Sequence, residues 1–261
     1  MEKEWITLKL KHLSIGYTTK KKKTVIAEDL NVSVKSGNLV CILGKNGIGK
    51  STLLRTIAKV QSKISGGIEL CDRELESFTS IELAKIVGLV LTERIPTGNL
   101  TVYELIALGR QPYTNWLGTL TSEDQKQIKI AIEKTQLEDL VNSRCDELSD
   151  GQLQRVMICR ALAQSTPIII LDEPTAHLDI QNKIMTFKLL QKLAHDLNRI
   201  ILISTHEVQL AIQLADQLWL MTNEGLIDGD PKTLIKNNNI NDLFDSKVVH
   251  FDSETNQFLV K

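Results

Sequence analysis

The run Val40-Cys41-Ile42-Leu43 leads directly into Gly44-Lys45-Asn46-Gly47-Ile48-Gly49-Lys50-Ser51, and no other stretch constrains the fold so tightly. Four consecutive apolar residues suit a strand buried on both faces, which is the setting of a parallel sheet covered by helices. The octapeptide matches GxxxxGK[ST] in full, and after it Leu53, Leu54, Ile57 and Ala58 recur at helical spacing. In a strand, glycine-rich loop and helix of this kind, backbone N–H groups turn inward around phosphate oxygens and the helix N-terminus adds partial positive charge. Gly44, Lys45, Asn46, Gly47, Ile48, Gly49, Lys50, Ser51 and Thr52 are therefore the candidate phosphate contacts. Lys50 is expected to reach the β- and γ-phosphates, and Ser51 to ligate Mg²⁺.

A second half-site follows downstream. Ile168 to Leu171 is again continuously apolar and runs into Asp172-Glu173, so Asp172 is expected at the carboxyl end of a buried strand, where ligands gather in open α/β sheets. Opposite a phosphate loop, Asp172 is the expected Mg²⁺ partner, and Glu173 is placed to orient and polarise the attacking water. A third apolar run, Ile200 to Ile203, lies beyond a helix-like stretch from Lys183 to Leu197, and this βαβ alternation predicts a parallel sheet. Helical patterns also span Val102 to Leu108, Gln125 to Thr135 and Gln152 to Ala163. In the first third, Ile6, Leu8, Leu10 and Leu30, Val32, Val34 alternate with polar residues, as in antiparallel strands with one wet face. Gln217 to Met221 and Leu226 to Ile227, split by Asn223-Glu224-Gly225, predict a hairpin.

Charge and cysteine usage narrow the class. Thirty-one basic against thirty-two acidic residues give a formal charge of -1, without the basic footprint of a nucleic-acid partner. Lys20 to Lys23, the one dense basic cluster, reads as a solvated loop between strands. Cys41, Cys71, Cys145 and Cys159 form no CxxC pair; Cys41 and Cys159 look like small core residues, and a reduced intracellular chain without a zinc site is expected. MEKEWITLKL lacks signal-peptide order, and no apolar run approaches the ~20 residues that span a bilayer. Any membrane role should come through a partner.

Leu148-Ser149-Asp150-Gly151-Gln152, between the two half-sites, resembles the LSGGQ signature of ABC-type ATPases. With the phosphate loop and Asp172-Glu173, it makes nearly the whole chain similar to the nucleotide-binding subunit of ABC transporters. The resemblance implies an α/β fold: a P-loop NTPase core of mixed sheet with an antiparallel β-subdomain, plus an α-helical subdomain. As one ABC ATPase domain over 1–261, about 1–90 and 166–230 would form the core, about 91–165 the helical subdomain and about 231–261 a C-terminal extension. It further implies that Tyr17 stacks on adenine, with an ordinary half-buried strand tyrosine as the rival reading. Ala176-His177-Leu178-Asp179 looks like the D-loop at a dimer seam, and His206, after Ser204-Thr205, like the switch histidine on the γ-phosphate. ATP held by Lys50 of one copy would be capped by Ser149, Gly151 and Gln152 of a second copy, on integral-membrane permease subunits at the cytoplasmic face of the membrane. A substrate-binding protein would act indirectly.

Two departures from the family pattern stand out. Asp150 replaces the second residue of LSGGQ, while Ser149 and Gly151 remain. Counting back from Thr101-Val102-Tyr103-Glu104-Leu105, the Q-loop glutamine coincides with Thr92, next to Glu93, and no glutamine occurs nearby. Thr92 offers Mg²⁺ a hydroxyl and Glu93 a carboxylate, and the sequence does not choose between them. A weakly active regulatory module is therefore the alternative to a transport ATPase. Thr101 to Leu105, Gly109-Arg110-Gln111-Pro112-Tyr113 and Trp116-Leu117-Gly118 resemble the TVxEL…GRxPY…G pattern of iron-siderophore, haem and cobalamin importers. A helix N-cap at Thr101 followed by a loop would give part of that pattern on its own, and a metal-ion or export cassette is the other transport reading.

Overall fold

The computed structural model describes residues 6–18, 22–92, 98–243, 249–252 and 257–260. Its elements in chain order are β1 (Thr7–Thr18), β2 (Lys23–Lys35), β3 (Asn38–Gly44), α1 (Lys50–Ile57), β4 (Ser65–Leu70), β5 (Arg73–Glu74), α2 (Ser80–Ala84), β6 (Val87–Val90), α3 (Val102–Ala107), α4 (Ser122–Thr135), α5 (Asp150–Ala163), β7 (Ile168–Asp172), α6 (Ile180–Asp196), β8 (Ile200–Ser204), α7 (Val208–Leu214), β9 (Gln217–Thr222), β10 (Gly225–Gly229), α8 (Pro231–Lys236), β11 (Val249–Asp252) and β12 (Gln257–Val260). A six-stranded sheet has the order β10-β9-β3-β8-β7-β6, parallel except for the edge hairpin of β9 with β10. A four-stranded antiparallel sheet has the order β2-β1-β4-β5.

Alternation of side chains along each strand gives the central sheet two apolar faces. Val40, Ile42, Ile168, Ile170, Ile200, Leu202 and Trp219 pack with Leu53, Leu54 and Ile57 of α1 and with the inner face of the antiparallel sheet. Leu39, Cys41, Leu43, Ile169, Leu171, Ile201, Ile203 and Leu218 turn the other way, onto α3, α4, α5 and α6. This is why β3, β7 and β8 read as unbroken apolar runs, whereas Leu30, Val32 and Val34 of β2 are buried between exposed Asn31, Ser33 and Lys35. The fold class is the expected one, and Cys41 and Cys159 are core residues, both fully buried.

Some boundaries move. The helix expected from Val102 to Leu108 stops at Ala107 and tightens into a 3₁₀ turn over Leu108–Tyr113. Pro112 has no N–H to return to the preceding turn, so the α-helix does not continue. Ala58 ends α1 instead of extending its buried face. Of the basic run, Lys20 and Lys21 lie outside the described residues and exposed Lys23 opens β2. In the tail, α8 is capped by Asp230, and Phe251 of β11 enters the helical-side core at 2 % exposure.

Candidate functional site

β8 runs between β3 and β7, so the carboxyl ends of the three strands bring the glycine-rich loop, Ser204 and Asp172 to one edge of the sheet. The loop needs glycine at Gly47 and Gly49, whose φ angles are 77° and 110°. A Cβ on Gly49 would also stand 2.6 Å from Ile26 Cγ2. Lys50 is buried, and its Nζ donates to the carbonyls of Gly44 at 2.9 Å and Lys45 at 3.3 Å, which folds the ammonium back over the loop. Burial pushes its pKa below the ordinary lysine value, against the opposing pull of Glu173 and Asp172. An ammonium partly stripped of water beside a helix N-terminus complements a polyphosphate.

The acidic side of the site is tightly hydrogen-bonded. Ser51 Oγ donates to Asp172 Oδ1 at 2.9 Å, and Ser204 Oγ donates to the same oxygen at 2.6 Å. Ser204 Oγ in turn accepts from the Glu173 N–H at 2.8 Å. Glu173 has φ 49°, a left-handed conformation that is unusual for a residue with a side chain. Backbone strain of this kind is kept where neighbours fix it, often at functional sites. Glu173 Oε1 lies 2.9 Å from His206 Nε2. A cavity of about 300 Å³ opens among Tyr17, Asn46, Lys50, Ser51, Thr52 and Glu173. Tyr17 is half-exposed on its flank, with its hydroxyl 3.0 Å from Thr52 Oγ1. Lys45, Asn46 and His206 also line an adjoining cavity, with Leu243 from the tail.

Two expected groups lie apart from this cavity or only partly within view. Ser149 caps α5: its Oγ accepts from the Gln152 N–H at 3.3 Å, and Gln152 Oε1 accepts from the Ser149 N–H at 2.9 Å. Neither they nor Gly151 line the phosphate-loop cavity, and Gly151 packs against Asn182 of α6. Thr92 does reach the site, donating its hydroxyl to the Asp172 carbonyl at 2.8 Å. Glu93 lies outside the described residues. Asp179, at the end of the expected D-loop, caps α6 by accepting from the Asn182 N–H at 2.8 Å.

Sequence reasoning gave Ser204 no role, although it joins Asp172 to Glu173. The polar pair Ser204-Thr205 closing an apolar strand was its only signal. It also missed the ion pair between Lys183 Nζ of α6 and Glu207 Oε1 at 2.6 Å, which braces the residue after His206. The GRxPY-like segment is largely architectural: a Cβ on Gly109 would lie 2.3 Å from the Arg160 carbonyl. Arg110 Nε donates to buried Asp124 at 2.9 Å, while its Nη1 donates to the Ala163 carbonyl at 2.8 Å. Trp116 and Leu117 stand exposed just beyond.

The donor set fits nucleotide and magnesium together. The Ser51 hydroxyl and the Asp172 carboxylate offer the hard oxygen atoms that Mg²⁺ prefers, and Mg²⁺ takes only one or two carboxylates when it shares its shell with phosphates and water. Among the described residues no group of three or more His, Cys, Asp or Glu gathers to hold a metal unaided. Comparison with known proteins agrees. The family model for the ABC transporter matches residues 27–176. An uncharacterized ABC transporter ATP-binding protein of Methanocaldococcus jannaschii is 38% identical over 97% of this chain and 87% of its own length. The ferric enterobactin transport ATP-binding protein of Escherichia coli K12 is 34% identical over 87% of this chain and 83% of its own. A dimeric bacterial ABC transporter cassette matches at a TM-score of 0.72 and 26% identity, covering 86% of this chain and 98% of that one. The same cassette has also been solved in a post-hydrolysis state bound to ADP and Pi. This chain belongs to the ABC transporter family, as an ATP-binding subunit that hydrolyses ATP and uses Mg²⁺.

Proposed function

We propose that the chain energises an importer of the iron-siderophore, haem or cobalamin type, as an ATP-sandwich homodimer on integral-membrane permease subunits. It would sit peripherally at the cytoplasmic face, with a substrate-binding protein presenting the solute on the far side. The observation that carries the reading is the convergence of Lys50, Ser51, Asp172, Ser204, Glu173 and His206 at one sheet edge, in a chain with a ferric enterobactin transport ATP-binding protein among its relatives.

The geometry supports the following roles. Lys50 and the N–H groups of 44–52 hold the phosphates, Tyr17 flanks the base, and Ser51 with Asp172 ligates the metal. Mg²⁺ supplies neutralisation of charge on the β- and γ-phosphates. Glu173 accepts a proton from the attacking water, and His206, in contact with its carboxylate, fixes that carboxylate's direction. Ser149, Gly151 and Gln152, away from their own chain's cavity, are free to cap the nucleotide of a second copy. Residues of about 91–165 serve as the helical subdomain carrying that cap, with about 231–261 as the C-terminal extension. A second reading, a weakly active regulatory module, is favoured by one observation: a threonine hydroxyl bound to the Asp172 carbonyl stands where the family has glutamine.

The test is to purify the chain with the membrane protein that accompanies it, reconstitute the complex in liposomes, and measure ATPase activity with ferric siderophore, haem and cobalamin. Stimulation by one of them, lost in Glu173→Gln, supports the importer. A complex that hydrolyses no ATP under any of these conditions overturns it in favour of the regulatory reading.

A further inference from the structure

Between α5 and α6, closed at one end by the last turn of α4, lies a cavity of about 230 Å³ that shares no lining residue with the phosphate-loop cavity. Gly151 and Arg155 of α5 face Asn182, Lys188 and Lys192 of α6 across it, with Lys134 of α4 at its end. Among the described residues four cationic side chains thus line one concavity and no carboxylate does, in a chain whose formal charge is only -1.

The cations are not equally explained by the fold. Lys134 stands in the last turn of α4, where a positive charge offsets the helix's negative end, and it pairs with Asp196 at 3.7 Å. Arg155, Lys188 and Lys192 have no such account. Among the described residues none of the three forms an ion pair or a hydrogen bond through its charged group. Lys188 and Lys192 are exposed and stand four apart on one helix, a spacing at which like charges repel. Arg155 is half-buried, with no protein acceptor for its guanidinium among the described residues. Guanidinium and ammonium groups converging on a concave wall are the usual receptors of a phosphate group. Beneath them, Ile158 and Leu189 supply an apolar floor suited to a small carbon skeleton.

We propose that this cavity binds a small phosphorylated anion, through Arg155, Lys188 and Lys192 with the Asn182 amide as an added donor. The occupant bridges α5, whose first turn carries Gly151, and α6, which Asp179 caps. It therefore stiffens the packing of the signature segment against the helix that follows the D-loop. The site is separate from the phosphate loop and does not depend on which solute is transported.

The experiment is calorimetric titration of inorganic pyrophosphate into the full chain carrying Lys50→Met, which removes the ammonium of the nucleotide site. Saturable binding is expected, weakening at least tenfold when Arg155→Gln and Lys188→Gln are added and persisting with Arg155→Lys and Lys188→Arg. Thermal unfolding run alongside is expected to show pyrophosphate raising Tm of the Lys50→Met chain but not of the chain that also carries both glutamines. Lys35→Gln, on the exposed edge of β2, should leave binding unchanged. Absence of binding to the Lys50→Met chain, or equal binding after both glutamine substitutions, overturns the proposal.

Discussion

Asp172 receives two hydroxyl donors on one carboxylate oxygen, and only one of them, Ser51, belongs to a motif visible in the sequence. The other, Ser204, also holds the N–H of Glu173 in its left-handed conformation. Ser204→Ala should therefore act on turnover more than on nucleotide affinity. We expect kcat to fall by roughly 10–100-fold with KM for ATP changed little, as when a positioned general base loses its orientation, and Ser204→Thr to restore part of the rate. Equal loss in ATP affinity would mean that Ser204 serves binding instead. Lys50 gives a pH prediction. Its pKa in the folded chain is below the unfolded value of 10.5, so the unfolded chain holds that proton more firmly and stability rises with pH between the two values. Relative to Lys50→Met, the nucleotide-free wild type should gain stability as pH approaches 10.5, measured by urea unfolding. A flat difference would remove burial as the dominant influence on Lys50. Residues at fixed spacing from glycines or after an apolar strand, such as Lys50, Ser51, Asp172 and Glu173, are legible because the chemistry dictates their order. Ser204 is not, since a serine at a strand end is equally at home facing water.

At the scale of elements, long periodic segments announce themselves and short ones do not. β3, β7, β8, α4, α5 and α6 were all legible from apolar runs or helical spacing. β6 has four residues and α2 five, too few for either period to register. The α3 region shows how a functional resemblance and an architectural cause share one segment. Thr101 and Glu104 form a capping box, with the Glu104 N–H donating to Thr101 Oγ1 at 3.2 Å and the Thr101 N–H to Glu104 Oε2 at 2.8 Å. Gly109 lets the following turn press onto the Arg160 carbonyl of α5. Gly109→Ala puts a methyl group into backbone rather than into a yielding side chain, and should destabilise the chain by about 2 kcal/mol. In a thermal melt this corresponds to a fall in Tm of roughly 5 °C. An unchanged Tm would mean that α3 and α5 separate easily, and that the close approach is not a structural requirement.

For the whole molecule, the separation of Ser149 and Gly151 from the phosphate-loop cavity has a consequence for assembly. The Glu173→Gln chain with ATP and Mg²⁺ should run as a dimer of about twice the 29.3 kDa monomer mass in light scattering, and as a monomer without nucleotide. A Ser149→Arg substitution, which crowds the cap without touching the phosphate loop, should leave the ATP-loaded chain monomeric. Dimers that form equally well without ATP would refute a nucleotide-closed seam. The sheet order has another consequence, one of timing. β3, the strand that carries the phosphate loop, is flanked on both sides by β8 and β9, and the Leu39 N–H donates to an aspartate 177 residues further along. At synthesis rates of about 5–20 residues per second, this apolar ribbon waits on the order of 10 s or more before either neighbour leaves the ribosome. During that interval Val40 to Leu43 has two open edges and only α1 over one face, a condition that favours aggregation of nascent chains. The strand that carries the phosphate loop therefore has its edges closed only by strands made much later.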